Sequence, residues 1–134
     1  MKGTDLFDLT GKTAIITGGW RGLGVQIATG FVEAGANVVF CSRKKEACNE
    51  VASQIEKLGG RALSFKCDIT NPTDVQEVVN ETYREFIAID ILVNNSGASW
   101  GGSYVSLNES RVRRYWKAMV LRSFANYALQ PGIC

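Results

Sequence analysis

Thr13-Ala14-Ile15-Ile16-Thr17 is a short, β-branched, apolar run that ends in glycine. A run that is apolar at every position, rather than at every second one, suits a strand covered on both faces, as in a parallel sheet. From residue 22 to 34 the apolar positions Ile27, Ala28, Phe31 and Val32 recur at helical spacing, and Gly35 follows as a C-terminal stop. The pattern then repeats. Residues 37–42 read as a second strand, and residues 44–58 place Ala47, Cys48, Val51, Ala52, Ile55 and Leu58 on one helical face before Gly59-Gly60. Residues 62–67 read as a third strand. Asn71-Pro72-Thr73-Asp74 offers an N-cap with proline at the first helical position, ahead of Val75, Val78, Val79 and Phe86. Ile91-Leu92-Val93-Asn94 supplies a fourth strand. Strands alternating with helices imply parallel strands joined by crossovers, so the expected fold class is α/β, a doubly wound parallel sheet ending after about four strands.

Composition adds boundaries to this picture. With 134 residues, 46% hydrophobic, 21% charged and a formal net charge of +2, the chain reads as one ordinary globular domain with no pull toward a polyanion. No apolar run approaches the roughly 20 residues that span a bilayer, and Met1-Lys2-Gly3-Thr4-Asp5 lacks the apolar stretch of a secretory signal. A soluble, cytoplasmic protein with no membrane partner is the expectation. Cys41, Cys48, Cys67 and Cys134 stand far apart and there is no histidine, so no metal site is expected and the cysteines read as reduced core thiols. Residues 1–102 hold 10 Lys+Arg against 12 Asp+Glu, and residues 103–134 hold 5 against 1, so the charge passes from −2 to +4. Val112, Tyr115, Trp116, Met119, Val120, Phe124 and Tyr127 fit one helical face. The chain thus divides into a sheet-forming unit, residues 1–102, and a basic amphipathic helical tail, residues 103–134. Arg111, Arg113, Arg114 and Lys117 read as the wet face of that helix, and no nucleic-acid partner is expected.

Between the first strand and the first helix stands Gly18-Gly19-Trp20-Arg21-Gly22-Leu23-Gly24. A glycine-rich turn feeding a helix lets backbone N–H groups approach a pyrophosphate without Cβ obstruction, and the helix N-terminus adds a partial positive charge. Strand, turn, helix and second strand stand at the spacing of a dinucleotide-binding βαβ unit, which makes the expected sheet Rossmann-type. In such a unit an acid at the end of the second strand accepts hydrogen bonds from the ribose hydroxyls of NAD. Here that strand ends Phe40-Cys41-Ser42-Arg43, with Lys44 and Lys45 next, and the turn itself carries Arg21. A guanidinium grips a 2′-phosphate in a bidentate way and lysines add potential, so NADP(H) is favoured over NAD(H).

Three motifs in order carry a resemblance. Thr17 to Gly24 spell TGxxxGxG, Cys67-Asp68-Ile69 follows the third strand, and Asn94-Asn95-Ser96-Gly97 follows the fourth, with Leu9-Thr10-Gly11-Lys12 as lead-in. Over residues 7–102 the chain resembles the short-chain dehydrogenase/reductase family, with Ser96 where the family's usual NNAG has alanine. The stretch from Asn95 to Gly101 looks closest to the 3-oxoacyl reductase and gluconate dehydrogenase branches. The resemblance implies that Asp68 hydrogen-bonds the adenine amino group with the Ile69 backbone beside it. It further implies that Asn95 and Gly97 border the adenine ribose and that Asn94 ties the central strands together. The expected cofactor-binding residues are Thr17, Gly18, Trp20, Arg21, Gly22, Leu23, Gly24, Ser42, Arg43, Asp68, Ile69, Asn95 and Gly97.

The same resemblance implies chemistry in a second half of similar length, through a serine and a Tyr-x-x-x-Lys pair. A lysine ammonium lowers the tyrosine pKa, so that its hydroxyl exchanges a proton with a carbonyl or an alcohol. Tyr83, Tyr104, Tyr115 and Tyr127 are followed four residues on by Ile87, Asn108, Met119 and Pro131, so none makes the pair. No catalytic residue is assigned. Two readings follow: the cofactor half of an NADP(H)-dependent oxidoreductase acting on a small carbonyl or alcohol, or an inactive isoform that binds nucleotide or partner subunits only. A sheet ending at the fourth strand leaves Ile91-Leu92-Val93 on an open edge, which predicts a homo-oligomer or association with full-length subunits.

Overall fold

The computed structural model describes residues 3–18 and 22–95. The expected tail helix, the boundary at residue 102 and Cys134 lie outside the described residues, as do Trp20, Arg21, Ser96 and Gly97. Four strands form one sheet: β1 (Thr13–Thr17), β2 (Asn37–Ser42), β3 (Ala62–Lys66) and β4 (Ile91–Val93). Their order is β3-β2-β1-β4 and every neighbouring pair is parallel. Three helices connect them: α1 (Leu23–Glu33), α2 (Lys45–Lys57) and α3 (Pro72–Phe86). This is the Rossmann-type α/β sheet expected from the sequence.

The unbroken apolar character of β1 and β2 has a direct cause. Successive side chains leave a strand on opposite faces, and both faces here are covered. Ala14, Ile16, Val38 and Phe40 pack against Ala28 of α1 and Cys48, Val51 and Ile55 of α2. Ile15, Val39 and Cys41 pack on the other face with Cys67 and with Val75, Val78 and Val79 of α3. Among the described residues β3 and β4 are the edges of the sheet, and both are mostly half-buried. β3 accordingly admits Lys66, which is exposed at the strand's end.

Asn71 caps α3 as expected, its side-chain oxygen accepting from the Thr73 N–H at 3.0 Å, with Pro72 opening the helix. Below the sheet, Asp90 pins the start of β4 to β1: the Thr13 N–H donates to the Asp90 carboxylate at 2.9 Å and the Asp90 N–H to the Thr13 carbonyl at 2.9 Å. The sequence leads straight into β1 from the Gly11-Lys12 turn, but the structure adds a 3-10 turn, Gly3–Phe7, before it. Leu6 and Phe7 in that turn are 69% and 75% exposed. Five residues without periodicity carry no pattern from which such a turn could be read. No helix among the described residues is long and apolar enough to cross a membrane.

Candidate functional site

All the described residues singled out from the sequence come together along one edge of the sheet, where the C-terminal ends of the strands emerge. β1 has β2 on one side and β4 on the other, so the strand order reverses there: α1 and α2 step outward on one face, and α3 crosses back on the other to reach β4. That reversal opens a crevice at the strand ends, the place where open α/β sheets take their ligands.

Thr17 closes β1 and is buried, and its hydroxyl is committed across the crevice. It accepts from the Asn95 N–H at 3.0 Å and lies 3.4 Å from the Val93 carbonyl, to which it donates. The Asn95 side-chain amide donates to the Gly18 carbonyl at 3.2 Å. Among the described residues the tie between β1 and β4 is thus made by Asn95, while Asn94 is exposed. Adjacent asparagines at a strand end point to opposite sides, and the motif alone does not say which one turns inward.

Gly18 has φ 64°, and its N–H donates to the Cys41 carbonyl at 2.9 Å, extending the β1–β2 pairing into the turn. Gly22 is the N-cap of α1 with φ 58° and ψ −130°, a conformation that a side chain makes costly. A Cβ placed there would find nothing within 4 Å, so the requirement comes from the backbone rather than from crowding. No side chain caps α1. By helix geometry the N–H groups of Leu23, Gly24 and Val25 have no acceptor within the helix, and they sit at its positive end. Leu23 is exposed and Gly24 buried.

At the end of β2 the Ser42 hydroxyl is engaged by its own turn. It accepts from the Lys44 N–H at 3.0 Å, lies 3.2 Å from the Lys44 carbonyl, and is reached by the Cys48 thiol at 3.3 Å. Ser42 therefore shapes the turn that presents Arg43, which is exposed. Asp68, after β3, accepts on one oxygen from the Thr70 N–H at 2.9 Å and the Thr70 hydroxyl at 2.7 Å. The Thr70 hydroxyl holds the Asp68 carboxyl below the usual carboxylate range; partial burial opposes this, and the Thr70 N–H and the Arg43 charge reinforce it. The Ile69 side chain is half-buried against the α3 face of the core.

Cys41, Cys48 and Cys67 are free and buried. Contact with the Cys67 thiol, together with burial, raises Cys41 well above the ordinary thiol range, so it stays protonated. These are core groups beneath the site. Lys66 is the residue near the site that the sequence does not single out: its place follows only from the register that pairs it with Ser42.

A family model described as short chain dehydrogenase matches residues 12–126, running past the last described residue. A sorbose reductase of Candida albicans is 42% identical over 96 residues, a stretch that makes up 72% of this chain and 34% of that protein. A short-chain type dehydrogenase/reductase from Mycobacterium marinum superposes with a TM-score of 0.89 at 35% identity, over 96% of this chain and 53% of that one. The L-sorbose reductase of Gluconobacter frateurii, solved with NADPH and L-sorbose, gives a TM-score of 0.80 at 33% identity over 90% of this chain and 46% of its own. The chain spans about a third to a half of these relatives' length. A parallel sheet with an uncapped, glycine-led helix at its central crevice, matched by the family model across most of the sequence, makes this chain a member of the short chain dehydrogenase family.

Proposed function

We propose that residues 1–102 form the cofactor half of an NADP(H)-dependent oxidoreductase that reduces a carbonyl or oxidises an alcohol. The observation that carries this reading is the combination at the crevice of an uncapped α1 N-terminus behind Gly22 and an exposed Arg43 where an NAD-binding chain would carry an acid. The residues fit the group. The N–H groups of Leu23, Gly24 and Val25 receive the pyrophosphate, joined by the turn residues Trp20 and Arg21. Arg43 holds a 2′-phosphate, placed for it by Ser42. Both bonds from Thr70 fall on one Asp68 oxygen, so an adenine amino group goes to the other, with Ile69 beside it. Thr17 and Asn95 keep β1 and β4 together under the ribose. When bound, the nicotinamide supplies or takes a hydride. NADPH in the Gluconobacter relative supports the choice of NADP(H) over NAD(H).

A second reading is favoured by one observation: no tyrosine in the 134 residues has a lysine four positions on. On that reading the polypeptide binds nucleotide, or pairs with full-length subunits, without turning over substrate. Incubation of the purified chain with NADPH and a small ketose, followed by loss of NADPH absorbance, tests the second reading. Binding without oxidation of NADPH is the expected outcome for these 134 residues. Turnover above the background of a boiled sample would place a proton donor within them and overturn the second reading.

A further inference from the structure

The register between α2 and β3 brings another cation to this site, an inference that rests on the cofactor reading above. Side chains of β3 alternate between faces: Phe65 packs on the α3 side with Cys67 after it, Ala62 joins the core under α1 and α2, and the Ser64 hydroxyl donates to the Asn49 side chain of α2. Lys66 therefore leaves the strand on the α2 face, about 6.6 Å beyond Ser64 toward the edge that carries the site. α2 runs back from that same edge, so Lys45, four residues before Asn49, lies about 6 Å nearer to it. The Ser64–Asn49 bond thus puts Lys66 and Lys45 at the same end of the face that β3 and α2 share. Ser42, the register partner of Lys66, shares this face, and its hydroxyl is already taken by Lys44 and Cys48.

Lys45 and Lys66 are both exposed, and neither joins the ion pairs found among the described residues. Two ammonium groups near a helix start repel each other and oppose the helix dipole. Glu46, the acid of that first turn, points about 100° away round the helix. A phosphate dianion between the lysines reverses the sign of both effects. We propose that Lys66, with Lys45, grips the 2′-phosphate of NADP(H) alongside Arg43, so that cofactor choice is read from β3 as well as from the turn after β2.

The test titrates the full chain with NADPH and with NADH by cofactor fluorescence, using adenosine 2′,5′-bisphosphate as a competitor. Parent, Lys66→Ala, Lys66→Glu and Arg43→Ala are compared at two salt concentrations. The expected result is an NADPH Kd raised about fivefold in Lys66→Ala and further in Lys66→Glu, with bisphosphate competition weakened in step. NADH affinity stays at the parent value, which also shows that the variants fold, and the salt dependence of NADPH binding becomes shallower. Unchanged NADPH affinity in both Lys66 variants, with a loss in Arg43→Ala, overturns the Lys66 role and leaves the cofactor reading standing. Equal losses for NADPH and NADH overturn it as well, because they place the effect outside the 2′-phosphate. Absence of saturable NADPH binding by the parent overturns both.

Discussion

Replacing Gly22 and Gly30 by alanine, one at a time, separates backbone requirement from helix propensity within a single element. Both glycines have open space where a Cβ would go, with nothing within 4 Å, so steric contact with neighbours plays no part in either variant. At Gly22 the backbone stands at φ 58° and ψ −130°, where an L-residue costs about 1–3 kcal/mol. Gly30 is an exposed interior position of α1 with ordinary helical geometry, where alanine stabilises by about 0.5–1 kcal/mol. The signs are therefore opposite. For a domain of this size about 1 kcal/mol moves Tm by about 3–5 °C, so Gly22→Ala should melt about 3 to 15 °C lower and Gly30→Ala a few degrees higher than the parent. Urea unfolding followed by circular dichroism gives the free energies, and an unchanged m-value shows that the comparison is of like states. Gly22→Ala should also weaken dinucleotide binding, since the turn that presents the α1 N–H groups must reorganise. A Gly22→Ala protein as stable as the parent would refute the left-handed turn, and with it the argument that glycine is needed at this corner.

Two further outcomes follow from local geometry. Ile87 ends α3 at φ 73° and is 85% exposed, so Ile87→Gly should relieve backbone strain at little cost in packing and raise stability by about 1 kcal/mol, read as a higher Tm. Because Asp68 is held below its usual pKa, the stability it contributes is fully present above about pH 4, its unfolded value, and is lost as pH falls through the lower folded value. Asp68→Asn should therefore be less stable than the parent at neutral pH, with the gap closing as the medium is acidified below about pH 4; a gap independent of pH would remove the carboxylate's role.

The fold was legible because each element carries its own signal. The apolar runs of β1 and β2 mark central strands, the 3.6-residue spacing of Val75, Val78 and Val79 marks α3, and Asn71-Pro72 marks where it starts. The glycine turn located the site, since strand, turn and helix are contiguous in sequence. What escaped the sequence depends on groups far apart along the chain. Nothing in Ser42-Arg43-Lys44 reveals that the serine hydroxyl is consumed by Lys44 and Cys48. Nothing in Asn94-Asn95 tells which asparagine turns toward Gly18. Lys66 acquires a place near the site only when β3 pairs with β2 and Ser64 meets Asn49. Side-chain placement across strands is set by register, and register is a property of the assembled sheet.

The measurement closest to the central claim is a fluorescence titration of the purified chain with NADPH and, separately, with NADH, repeated on Arg43→Ala. The expected result is saturable binding that prefers NADPH in the parent and loses that preference in Arg43→Ala while NADH binding is retained. Equal affinity for the two cofactors in the parent, or a preference untouched by Arg43→Ala, would contradict the assignment of this site to NADP(H).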